Sequence, residues 1–181
     1  TAQESLLDWP SNMSSGGIIF EGPESPLPRQ SDPLQAGAVP APNSVDREAG
    51  NDIVVYADYR CPHCMEFEVK NGDYLTSLID SGNTTVEVVP LSFMDRISDG
   101  SKYSSRATGA VVCFTDLQPE LAWKAHSTLL TPQVQPGPGP GLNNDELITA
   151  LQQGADGMSK AVGDCIKTER FVPFAQGLND W

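Results

Sequence analysis

The apolar pattern changes period along the chain, and the changes mark out elements. Ile53-Val54-Val55-Tyr56-Ala57 is continuous, β-branched and apolar. That pattern predicts a strand covered on both faces. From Pro62 onward the apolar residues Met65, Phe67, Val69, Leu75, Leu78 and Ile79 recur at helical spacing. Asn71-Gly72 interrupts them and predicts a kink or break. Ser81-Gly82-Asn83 ends the helix. Thr84 to Val89 reads as a second strand, closed by Pro90. Strand, helix and strand within about 40 residues form a βαβ unit, for which a right-handed crossover is expected.

Beyond Asp99 the pattern is helical. Lys102 to Thr115 carries Ala107, Ala110, Val111 and Phe114 on one face. A further helix should start near Pro119 and carry Leu121, Trp123, Ala125, Leu129 and Leu130. The run Pro136-Gly137-Pro138-Gly139-Pro140-Gly141 separates it from the next, for which Asn144 is the expected N-cap. Helical spacing resumes from Ser159 to Lys167. Residues 1–50 are instead rich in Pro, Gly, Ser and Asn, so most should be extended arm or loop. Gly17-Ile18-Ile19-Phe20 is the exception and suits an edge strand. The expected organisation is therefore an arm (1–50), a βαβ unit (51–98) and a helical block (99–181).

Charge and length narrow the function. A chain of 181 residues suffices for one sizeable domain. Its formal charge of -13 argues against nucleic acid as a partner, because binding phosphates needs clustered Lys and Arg. Anionic membrane surfaces are disfavoured for the same reason. The opening Thr1-Ala2-Gln3-Glu4 lacks the pattern of an export signal, which fits a cytosolic protein and a mature exported one equally.

The candidate chemistry lies in Cys61-Pro62-His63-Cys64. Thiol exchange proceeds through the thiolate. The first turn of a helix offers unpaired N–H groups and the positive end of the macrodipole, which ease ionisation. A cysteine three positions on lies one turn away and closes a small disulfide. Cys61 is thus the expected attacking or attacked sulfur, and Cys64 the more buried resolving partner. Pro62 suits the first helical position. His63 is placed to donate a hydrogen bond or carry charge beside Cys61, or else to sit solvated without a role. Asp58 is a candidate proton acceptor for Cys64, or a cap for the strand end. The remaining cysteines, Cys113 and Cys165, lie far apart in sequence; spacing alone leaves a structural disulfide and two buried thiols equally open. Zinc held by all four cysteines is disfavoured because such sites bring two close pairs. Covalent haem needs His at position 65, which is Met. No metal or cofactor is therefore expected. His126, beside Trp123, reads as a packing residue rather than a catalyst.

The segment Val54-Val55-Tyr56-Ala57-Asp58-Tyr59-Arg60-Cys61-Pro62-His63-Cys64-Met65-Glu66-Phe67 resembles the active-site strand and helix of the DsbA family of disulfide oxidoreductases. Cys113 in an apolar helix, followed by Trp123-Lys124-Ala125-His126 and Leu129, resembles that family's helical insertion, and Gly17 to Phe20 its first strand. The resemblance covers roughly residues 16–175. It implies a thioredoxin-like α/β fold with an inserted α-helical domain. It also implies exchange through Cys61 and Cys64, and a second disulfide joining Cys113 to Cys165 as in the exported actinobacterial branch. The implied role is extracytoplasmic: introducing disulfides into reduced or unfolded exported proteins, with reoxidation by a quinone-linked membrane partner. A disulfide isomerase or reductase, or a redox-inactive module binding unfolded exported proteins, are the alternatives. The family also places a cis-proline loop and two further strands after the helical block. No counterpart is legible before Trp181, since Val172-Pro173 sits in a helical context and Val39-Pro40 precedes the motif. The strand at Ile53 to Ala57 would then present an apolar sheet edge.

Overall fold

The computed structural model describes residues 7–43 and 50–181; the polar opening 1–4 lies outside them. Among the described residues ten regular elements follow in chain order. They are β1 (Ile18–Glu21), β2 (Leu27–Pro28), β3 (Asn51–Asp58), α1 (Pro62–Asp80), β4 (Thr84–Leu91), α2 (Tyr103–Leu117), α3 (Ala122–Leu129), α4 (Asn144–Gly154), α5 (Lys160–Lys167) and α6 (Val172–Gly177). Short 3₁₀ turns lie at Phe93–Ile97, Pro119–Leu121 and Leu178–Asp180.

The strands form one sheet in the order β2-β1-β4-β3. β3 and β4 run parallel, from Asn51 opposite Thr84 to Asp58 opposite Leu91. This parallel pair, with α1 between its strands, is the predicted βαβ unit. β1 lies antiparallel on the other side of β4, placing Ile18 against Val88 and Phe20 against Val86. β4 continues through Pro90 rather than ending at it. The pairing of β1 stops at Val88, so Pro90 lies beyond that neighbour and its missing N–H costs no bond there.

α1 runs unbroken for 19 residues through Asn71-Gly72, so the expected kink is absent. The glycine serves side-chain packing instead. A methyl group at Gly72 would lie 2.7 Å from the Glu68 carboxylate, which occupies the core-facing phase of the helix together with Leu75 and Ile79. Phe67 and Val69, two of the apolar residues that suggested the helix, face outward. Gly82, at φ +80, lets the chain leave the C-terminal end of α1.

α2 is buried on nearly every side rather than along one stripe, because it lies at the centre of the helical block. It packs against α3, α5 and α6. The N-cap of α4 is Asn143, one residue before the expected Asn144. Asn143 Oδ1 accepts from the Glu146 N–H at 2.9 Å, and Glu146 accepts from the Asn143 N–H at 3.1 Å, a reciprocal capping box. Ser159 caps α5.

The N-terminal region departs most from its expected role as an arm. Trp9 and Met13 are core residues in the same hydrophobic cluster as Phe20, Phe114 and Leu129. Trp9 packs edge-on to Phe174 and stacks on Trp181. Asp116 accepts from the Ser11 N–H at 2.7 Å, and Asn12 donates to the Thr115 carbonyl. The proline-rich stretch that follows, 23–43, is mostly exposed loop, as its composition predicts.

Candidate active site

β3 delivers the chain to the site. At its end Asp58 is buried, and its carboxylate accepts from the Ser104 hydroxyl (2.6 Å), the Arg60 N–H (3.0 Å) and the Met94 N–H (2.9 Å). The Asp58 carbonyl accepts from the Cys61 N–H at 2.9 Å, closing the turn into α1. Burial pushes the Asp58 carboxyl above its ordinary value, against those hydrogen bonds. These three hydrogen bonds lock the turn and bind it to α2, and none of them involves Cys64.

Cys61 is the N-cap of α1 and Pro62 its first residue, as the motif requires. Cys61 and Cys64 are both free and half-buried, so Cys64 is not set apart by deeper burial. Their environments differ nevertheless. Burial pushes the Cys64 thiol up to about 11, the hydrogen bond with Cys61 adds to the rise, and the Asp58 backbone opposes it. Cys64 is thereby kept as a thiol near neutral pH. His63 projects into solvent, and its partner is Glu66 at 3.7 Å on the same helix. Among the described residues it makes no hydrogen bond to either sulfur.

A groove of about 500 Å³ opens beside the motif, lined by Ile53, Val55, Cys64, Phe67, Glu68 and His126. Its walls are mainly apolar, with a buried polar network at one side. His126, 1% exposed, has Nδ1 2.9 Å from the Tyr59 hydroxyl and Nε2 3.6 Å from Glu68. Ser127 donates to the other Glu68 oxygen at 2.9 Å. Burial alone would raise the Glu68 carboxyl; His126 and Ser127 outweigh it and hold it below its ordinary value. Burial also pushes the Tyr59 hydroxyl far up, so it stays protonated.

On the far side of the motif, Gln135 donates to the carbonyls of Tyr59 and Cys61, and the buried Arg60 guanidinium donates to Ser98 and to the Gly137 carbonyl. Sequence reading passed over Glu68, Arg60 and Gln135. Glu68 carried a signal, an acid in the core-facing phase of α1; Gln135 carried none. Cys113 and Cys165 are bonded, joining α2 to α5 with their Cα atoms 6.0 Å apart. That bond removes two of the four thiolates a shared zinc site would need. Among the described residues no cluster of three or more His, Cys, Asp or Glu could hold a metal ion.

The sequence pattern of a family described as thioredoxin matches residues 46–178, which take in the motif, the βαβ unit and the helical block. The chain belongs to the thioredoxin family. Among solved structures, DsbA from Mycobacterium tuberculosis superposes on this thioredoxin relative with a TM-score of 0.69 at 23% identity, over 91% of this chain and 76% of that one. A disulfide bond oxidoreductase, DsbG, from the same organism gives 0.68 at 24% identity, over 91% and 71%. MdbA, a thiol-disulfide oxidoreductase from Corynebacterium diphtheriae, gives 0.68 at 18% identity, over 99% and 78%. At these identities the likeness establishes the fold, which is thioredoxin-like with a helical block. No curated protein sequence matches the chain.

Proposed function

We propose that this chain is an extracytoplasmic dithiol oxidase that introduces disulfide bonds into reduced exported proteins through Cys61 and Cys64. The observation that carries the reading is Cys61 at the N-cap of a 19-residue helix, with a thiol partner one turn on that burial keeps protonated. A substrate thiolate attacks the Cys61 sulfur of the oxidised pair. The Cys61–Cys64 bond breaks, and Cys64 leaves with the electron pair and takes a proton from solvent. A second substrate thiolate attacks the substrate sulfur of the mixed disulfide. Cys61 leaves as the thiolate, which the helix N-terminus stabilises. The substrate loses two electrons and the pair gains them. A quinone-linked membrane protein returns the pair to the disulfide.

The largely apolar groove beside Cys64 suits unfolded chains, which expose apolar side chains. The buried Cys113–Cys165 bond supports an oxidising compartment. Among the described residues no helix is long and apolar enough to cross a membrane. The test is the reduction potential of the Cys61/Cys64 pair together with oxidation of a reduced model substrate. An oxidising potential, well above the roughly -270 mV of thioredoxin, with turnover lost in Cys61→Ser, is expected. A thioredoxin-like potential would move the reading to a reductase; an inert Cys61 would leave only a binding module.

A further inference from the structure

The turn that presents Cys61 is held from a segment more than 70 positions away in sequence. Gln135 Nε2 lies 3.1 Å from the Tyr59 carbonyl oxygen and 3.0 Å from that of Cys61. Both partners are acceptors, so the nitrogen end of the amide faces them, one hydrogen to each. The Cys61 carbonyl also accepts from the Met65 N–H at 3.1 Å, the first hydrogen bond of α1. Gln135 therefore grips the residue at which strand becomes helix.

The grip is itself built. The Gln135 N–H donates to the Thr131 carbonyl at 2.9 Å, forming the turn that projects the side chain. The Pro-Gly run that follows is tied to the body of the protein at three points. Arg60 donates to the Gly137 carbonyl at 2.7 Å, Ser101 donates to the Pro140 carbonyl, and Arg106 donates to the Leu142 carbonyl at 2.8 Å. With the loop anchored on both sides, ordering the Gln135 side chain costs little further entropy.

We propose that Gln135 is a positioning residue for the Cys61 thiol, its amide holding the Tyr59 and Cys61 carbonyls and so maintaining the N-cap conformation on which thiolate formation depends. The proposal rests on the redox reading above. Two effects act in the same direction. Without the donor, the turn between Asp58 and Cys61 loses two of its hydrogen bonds and loosens. Each carbonyl oxygen also loses one donor, the Cys61 oxygen keeping only the Met65 N–H, and its less compensated negative charge at the start of α1 opposes the thiolate. The charged and titratable groups around this turn are Asp58 and Arg60 at the end of β3, and His63, Cys64 and Glu66 on α1. Asp95 and Tyr103 lie within electrostatic reach of Asp58, and Tyr59 is hydrogen-bonded to His126, which lies beside Glu68. Substituting Gln135 alters none of them directly.

The test is the rate of Cys61 alkylation against pH in the reduced full chain, read by mass spectrometry on the Cys61 peptide. Gln135→Met keeps the length and volume of the side chain and removes both donors. It should raise the midpoint by about half to one pH unit, the scale of one modest hydrogen bond. Gln135→Glu, of the same shape, should raise it further. Gln135→Asn, too short to span both carbonyls, should give a smaller rise and serves if the methionine variant does not fold. Ser101→Ala releases the loop at Pro140 without touching the clamp and should leave the midpoint where it is. Unchanged midpoints in the Gln135 variants, or an equal shift in Ser101→Ala, would overturn the clamp. The clamp is judged on the difference between variant and wild type, and the redox reading on the wild-type value, so the two fail separately.

Discussion

At the scale of single residues, the site pairs two half-buried thiols with a buried polar network. Glu68 and His126 are 8% and 1% exposed, so each relies on the other, and on Ser127 and Tyr59, for polar partners. Removing one member leaves buried polar atoms of the others without a partner. Glu68→Ala should therefore destabilise the protein by about 2 kcal/mol at neutral pH, read from the urea midpoint. The pH dependence follows from the direction of its shift. A carboxyl held below its ordinary value stabilises the fold above the unfolded-state pKa and loses that contribution as pH falls through the folded value. The difference between wild type and Glu68→Gln should accordingly shrink as urea melts are moved from neutral pH into the acid range below about pH 4. A difference that stayed constant would mean the carboxylate charge does not matter there. Asp58 has the opposite shift, so ionising it opposes the fold as pH rises through its folded value; its three donors offset part of that cost.

At the scale of elements, the helical block depends on one covalent tie between its middle and its end. Cys113 on α2 and Cys165 on α5 close a loop with a sequence separation of 52. The chain-entropy argument puts such a loop near 4 kcal/mol as an upper guide. The double variant Cys113→Ala/Cys165→Ala should lose up to about that much stability in urea melts, while the Cys61/Cys64 potential, set by α1, should be unchanged. A shifted potential would show that α2 transmits strain to the motif through Ser104 and Asp58, the direct link between them. Much of this level was legible beforehand. The helices at 103–117 and 160–167 fall where apolar spacing and punctuation placed them, because each is a local pattern with a local stop; the helix expected from Pro119 opens as a 3₁₀ turn and becomes α-helical only at Ala122. The capping residue of α4 was missed by one position, since two adjacent asparagines carry the same chemistry and only the reciprocal bond with Glu146 distinguishes them.

At the scale of the whole molecule, β3 is the edge of the sheet among the described residues, and it holds the site. Val54 and Tyr56 on it are 43% and 66% exposed, so the strand is half-open rather than covered on both faces. An apolar strand with free pairing groups is a template for association with another chain. A polypeptide of these 181 residues should self-associate as its concentration rises, and Val54→Lys should suppress this by placing a charge on the exposed strand without entering the core. Sedimentation velocity across a concentration series checks it; identical profiles would mean the edge is inert.

The sequence alone determined what depends on neighbours along the chain. The βαβ unit, the cysteine pair at a helix start and the order of the helices all arise from short-range periodicity, caps and spacing. Tertiary structure decided what depends on residues brought together from afar. It put Trp9 and Met13 into the core, turned Glu68 inward to meet His126, and set Gln135 against the Cys61 carbonyl. Such contacts pair groups dozens of positions apart, and neither member of a pair carries a local pattern naming its partner. Only the packing of helical block against sheet creates the low-dielectric space in which those polar pairings become necessary.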